Sequence, residues 1–174
     1  MFLVKVTPYV FIIFAVLVAL LIIVSIFINK VREKTIKQAL EYVTEQKGGK
    51  LLPARDKRYD YIIETESEII FIKLAIIPSN SSVTVNSKNT WCLRFGGGTR
   101  TGRNYPNQEY MNDLKPFLNA NFKEDKKVRK VVILYPSTEH ILKYVNESDI
   151  IELKETDLAY EVQIIRFEHL EKYL

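Results

Sequence analysis

From residue 9 the chain runs for twenty positions, YVFIIFAVLVALLIIVSIFI, without a single charge, and its apolar side chains fall on every side of a helix. At the helical rise such a run covers about 30 Å, the thickness of a bilayer's hydrocarbon core. An all-round apolar helix needs either lipid or a large core to bury it, and the remainder of the chain is the size of one ordinary domain. The run is longer than the roughly 7 to 15 residues of a signal-peptide core, and no small-x-small site follows before Asn29-Lys30. Residues 1–28 are therefore expected to be an uncleaved, single-pass transmembrane anchor.

Beyond it the pattern changes period. Ile36, Leu40 and Val43 recur at helical spacing in a segment closed by Gly48-Gly49, which predicts a juxtamembrane helix over residues 29–48 with a glycine stop. Residues 59–65 (YDYIIET) and 68–77 (EIIFIKLAII) predict a β-hairpin bounded by Pro78, and 82–85 and 90–95 are shorter strand candidates. Tyr110, Leu114, Phe117 and Leu118 predict a helix between residues 107 and 122, with Pro116 as a bend. Residues 128–135 (VRKVVILY) read as a buried strand. A short helix is expected from Pro136-Ser137 through Tyr144, a strand over 149–153, and a last helix capped by Thr156 that carries Leu158, Val162, Ile165 and Leu170, with a strand over 162–167 as its competitor. The sum is an α/β (α+β) domain over residues 49–174, one mixed sheet flanked by helices.

Composition excludes disorder: 47% of the 174 residues are hydrophobic, and there are only six glycines and six prolines. The net charge of +4 is unevenly spread. Residues 30–58 hold nine Lys/Arg against four Asp/Glu, an excess of +5, so the rest of the chain sums to about −1. Lys30, Arg32, Lys34 and Lys37 follow the apolar run where Lys5 alone precedes it, an asymmetry that places the domain in the cytoplasm and the amino terminus outside. The same cations suit an anionic leaflet, so the lipid bilayer is the first expected partner. The sequons at Asn80 and Asn146 argue for the opposite orientation only if glycosylated. The single cysteine, Cys92, has no partner for an internal disulfide, and its place beside Trp91 in an apolar strand predicts burial.

Asp60 at the head of one hairpin strand, Glu64 further along it, and Ile69-Ile-Phe-Ile-Lys73 on the next resemble the nuclease-related domain called NERD, of the PD-(D/E)xK fold. Trp91, the glycines at 96–98, Asn104-Tyr-Pro106-Asn-Gln108 and the strand Val131-Val-Ile-Leu are similar to that family's later segments, so the resemblance covers residues 36–144. It implies a restriction-endonuclease-like fold in which acidic side chains hold Mg²⁺ or Mn²⁺ and a lysine assists attack on a phosphodiester. The family's Glu-x-Lys is not kept. Lys73 stands where the Glu belongs and Ala75 where the Lys belongs, and both fall on one strand face. The expectation is a catalytically silent domain, not an enzyme and without a cofactor, that binds or scaffolds at the membrane, with nucleic acid or a protein as partner. Two alternatives stand beside it. One is a membrane-tethered, metal-dependent nuclease using Asp60 with Glu64 or a helix-borne Glu41 or Glu45, Lys73 as the cation and Gln108 as polar support. The other is a structural subunit of a membrane complex.

Other motifs are weaker. Residues 97–104 have Walker A glycine spacing, but Arg103-Asn104 replace the Lys-Ser/Thr that phosphate and Mg²⁺ need. Lys88, Arg94, Arg100 and Arg103 lie in a stretch without acids and form a candidate site for an anion or a nucleic-acid backbone. Lys126, Lys127, Arg129 and Lys130 read as an exposed loop ahead of a strand. His140 and His169, the two histidines, have no metal-ligand spacing, and no metal site is assigned to them.

Overall fold

A computed structural model describes the backbone of residues 3–96, 102–146 and 149–174, and side chains from residue 9 onward. The chain divides into a unit that ends at Ala39 and a second unit, Leu40–Leu174. Helix α1, Leu3–Gln46, begins in the first and ends in the second. Over residues 9–28 every side chain of α1 is exposed, and among the described residues this is the one helix long and apolar enough to cross a membrane. Its stop is the predicted one. Gly48 takes φ +63°, its N–H donates to the Glu45 carbonyl at 3.0 Å, and the Gly49 N–H donates to the Thr44 carbonyl at 3.0 Å. That pair of bonds is a Schellman motif, which needs a left-handed residue where glycine alone is unstrained.

The second unit holds two mixed sheets. In the six-stranded sheet the order is β1 (Lys50–Pro53), β2 (Tyr61–Glu64), β3 (Glu68–Ile76), β7 (Lys127–Tyr135), β11 (Val162–Arg166), β10 (Leu158–Ala159). Strands β1, β2 and β3 form an antiparallel meander, β7 runs parallel to β3 and β11 parallel to β7, and β10 closes the far edge as a hairpin arm. The five-stranded sheet has the order β6 (Arg103–Asn104), β5 (Trp91–Phe95), β4 (Ser81–Val85), β8 (Ile141–Tyr144), β9 (Ile150–Glu152). Two short helices, α2 (Glu109–Asn112) and α3 (Lys115–Asn119), precede β7, and a 3₁₀ turn leads into α4 (Leu170–Tyr173).

One hydrophobic cluster joins the sheets. Phe71, Ala75, Val132, Leu134 and Ile164 supply it from one face of the larger sheet, Val83, Val85, Trp91 and Leu93 from the smaller, and Met111, Leu114, Phe117 and Leu118 from the α2–α3 segment. Ile63, Ile70, Ile72, Ile133 and Ile165, of opposite strand parity, are buried as well. Strands β3, β7 and β11 are thus covered on both faces, which is why they read as unbroken apolar runs.

Several expectations are corrected. There are two sheets, not one. The single helix expected between residues 107 and 122 is split, because Pro116 lies in the first turn of α3 and cannot continue the hydrogen-bond ladder of α2. The helix expected from Pro136-Ser137 to Tyr144 ends in strand β8, and the last helix is replaced by β10 and β11, with only Leu170–Tyr173 remaining helical. Val162 and Ile165 fit a helical period as well as a doubly buried strand, and pairing with β7 decides for the strand. Cys92 is only half-buried, on the face of β5 opposite Trp91 and Leu93.

Candidate functional site

Asp60 and Lys73 meet at the mouth of the β2–β3 hairpin. The register that pairs Tyr61 with Ile72 brings Asp60 opposite Lys73, and the Asp60 N–H donates to the Ile72 carbonyl at 2.8 Å. Lys73 Nζ donates to Asp60 Oδ1 at 3.1 Å, and the Leu74 N–H donates to Oδ2 at 2.7 Å. Both carboxylate oxygens are therefore engaged, one by an ammonium whose side chain is only 14% exposed. Tyr59, next to Asp60 in the chain, packs edge-on against Phe71 and Phe122, which are stacked at 3.9 Å.

The remaining residues of the expected nuclease set lie elsewhere. Glu64, at the opposite end of β2, accepts from Lys126 Nζ at 2.9 Å, and that ammonium also donates to the Thr65 carbonyl. The Lys126 bond, with the positive charges of Lys126, Lys50 and Arg55, holds the Glu64 carboxyl below its ordinary range. Gln108 is spent on backbone. Its Oε1 accepts from the Leu93 N–H at 2.8 Å, while Nε2 donates to the carbonyls of Leu93 at 2.8 Å and Tyr105 at 2.6 Å, which ties the start of α2 to β5.

A divalent cation held by acidic ligands needs two or three carboxylates around one point. The open end of the hairpin offers Asp60 alone, already carrying Lys73, with the Ala75 methyl buried two positions beyond that lysine. This donor set does not fit such an ion. Among the described residues no three His, Cys, Asp or Glu side chains gather closely enough to hold a metal.

Of the candidate anion site, Arg100 lies outside the described residues, as does most of the Walker-like segment. Lys88 and Arg103 are exposed, and Arg94 has a buried Nε without a partner among the described residues. The basic run at 126–130 is corrected: from Lys127 onward it is strand β7, not loop. Arg129 donates to Glu68 at 3.0 Å and to Gln163 Oε1 at 2.6 Å. Lys130 is half-buried and donates to the carbonyls of Leu118 at 2.8 Å and Ala120 at 3.1 Å. Burial, and then repulsion from Lys88, push the Lys130 amine down to about 8.

Sequence reasoning missed a polar network around the ends of β9 and β11. Glu155 is buried and accepts from Arg166 Nη1 at 2.6 Å, and it lies 2.6 Å from His169 Nδ1. Arg166 also donates to the Thr138 carbonyl at 3.0 Å and approaches Glu152 at 3.8 Å, whose carboxylate is 3.0 Å from His140 Nδ1. Burial opposes the charge on Glu155, but the bonds from His169 and Arg166 outweigh it and hold the carboxyl below its ordinary value. No local signal announces this network, because its members come from strands of two different sheets and the turn before α4 and meet only in the folded chain.

No protein-family model, curated protein or solved structure matches the chain.

Proposed function

We propose that this chain is a single-pass membrane protein whose α+β domain has a restriction-endonuclease-like core, does not cut, and binds or scaffolds at the cytoplasmic membrane surface. The observation that carries the reading is the stretch of α1 from residue 9 to 28, apolar all round and exposed all round. Only lipid satisfies such a surface at low cost. The cations at Lys30, Arg32, Lys34 and Lys37 support a cytoplasmic domain with the amino terminus outside. The order of helix, three-stranded meander, short helices and a strand parallel to β3 supports the nuclease-like core. The neutralised Asp60 supports its silence. The nuclease alternative finds less support, since Glu64 and Gln108 serve other parts of the fold.

Full-length protein is expected in the membrane pellet, released by detergent and not by high salt or alkali. Protease added to inverted vesicles should digest the domain, and right-side-out vesicles should protect it. In nonionic detergent with Mg²⁺ or Mn²⁺, it should leave single- and double-stranded DNA and RNA intact. Freely dissolved protein without detergent overturns the anchor, and cleavage lost on Asp60→Ala overturns the silence.

A further inference from the structure

Beside the start of β7 lies a concave cleft of about 1010 Å³, walled by residues 119–122, the first residues of β7, the β10–β11 hairpin and the end of α4. Lys88, Lys127, Lys130 and Lys172 line it together with Arg129, and Glu161 is the one acid among the described residues that line it. Arg129 is already bound to Glu68 and Gln163, but Lys88, Lys127, Lys130 and Lys172 form no ion pair among the described residues. Of the three N–H donors on Lys130, two go to the carbonyls of Leu118 and Ala120, which leaves one for a ligand. Four lysines facing one glutamate leave about three positive charges uncompensated around one space. We infer that this cleft binds a compact polyanion bearing more than one phosphate group, with Lys88, Lys127, Lys130 and Lys172 as its donors.

The chemistry follows from charge and shape. A single phosphomonoester carries about −1.5 to −2 charges, so one such group falls short of the surplus and two meet it. Lysines act as point charges, where arginine forks would select planar, bidentate partners. The cleft is about as large as pockets that enclose small ligands, roughly 300 to 1,000 Å³, so a compact polyphosphate fits it better than an extended duplex. Burial does most to depress the Lys130 amine, and an anion beside Lys88 and Lys130 relieves the smaller part that comes from repulsion between them. Clustered phosphates come either from a soluble polyphosphate or from a phosphorylated lipid headgroup, and the same donors serve both. The inference concerns the domain's binding role and stands whether or not its core is nuclease-like.

The test titrates the full chain, in nonionic detergent at pH 7, with inorganic tripolyphosphate by calorimetry. Binding to one site is expected, and it should weaken about tenfold or more in Lys88→Ala/Lys172→Ala and again as salt screens the charges. Both lysines are exposed, so an unchanged thermal transition should show the double variant folded; Lys127→Ala gives a second, independent loss. The same titration in lipid nanodiscs with and without phosphatidylinositol bisphosphate separates the sources. Competition by the lipid assigns the site to a headgroup, and undiminished binding assigns it to a soluble polyphosphate; either upholds the inference. No tripolyphosphate binding in detergent, or equal affinity in the double variant, overturns it.

Discussion

Replacing Lys130 with methionine should change how the domain's stability responds to pH. Methionine keeps the apolar stem and removes the charge, which in the native protein is half-buried and repelled by Lys88. The folded amine titrates near 8 against an ordinary 10.5. Below pH 8 both folded and unfolded chains carry the proton, and the native state bears the full penalty of holding it. Between the two values the native lysine has released its proton while the unfolded one keeps it, so this group makes wild-type stability rise with pH. A shift from 10.5 to about 8 is worth about 3 kcal/mol without screening. Half-exposure cuts that to about 1 to 2 kcal/mol.

Urea unfolding of the full chain in nonionic micelles, followed by fluorescence of Trp91, reads the quantity. Trp91 is the only tryptophan and is 5% exposed, so it reports the second unit's core. The two carbonyl bonds that Lys130→Met also loses give an offset, and the diagnostic is the pH-dependent part. The stability of the variant minus that of the wild type should fall by about 1 to 2 kcal/mol between pH 7 and pH 10. A difference that stays flat, or rises, refutes the account of Lys130.

Three further outcomes follow from the same structure. Gln108→Ala removes three backbone bonds at once and should cost about 2 to 3 kcal/mol in the same urea assay. Gly49→Ala should destabilise by more than about 1 kcal/mol, because its Cβ would stand 2.9 Å from the Glu64 carbonyl oxygen, which is backbone and cannot swing away. Glu155→Gln strips the charge partner from Arg166 and alters the contact with His169, and should cost about 3 kcal/mol at neutral pH. Because the folded Glu155 carboxyl lies below its ordinary 4.5, its contribution is present above that value and is lost as pH falls through the folded one. Acid titration should therefore narrow the gap between wild type and this variant.

The elements legible in the sequence were those set by local rules. The apolar stretch of α1, the Gly48-Gly49 stop, the β2–β3 hairpin and β7 each follow from a period or a special backbone residue. The elements misread were those that pairing decides. Ile141–Tyr144 and Val162–Arg166 are short apolar runs whose spacing suits either period, and only the neighbours β4 and β7 make them strands. Strand β1 carries too few residues to announce itself before β2 pairs with it. The candidate site divides the same way. Asp60 facing Lys73 follows from hairpin register, whereas Glu64, four residues along the strand, is carried about 13 Å away at the strand rise, toward Lys126. The lysine cleft was invisible because Lys88, Lys127, Lys130 and Lys172 come from segments that the fold alone assembles.

The charges explain how a nuclease-like core would serve binding in place of cutting. Phosphodiester cleavage on such a fold needs concentrated negative charge to hold a cation, and that cation in turn receives the phosphate. Here three of the hairpin's acids are each paired with a cation, Asp60 with Lys73, Glu64 with Lys126 and Glu68 with Arg129. Four lysines without an ion pair among the described residues line the cleft at the start of β7. On the proposed reading, phosphate would be drawn to these lysines directly and not through a metal held by acids. Binding of that kind would weaken as salt screens the charges, which is what release of a ligand by a membrane-tethered module of the proposed kind would need.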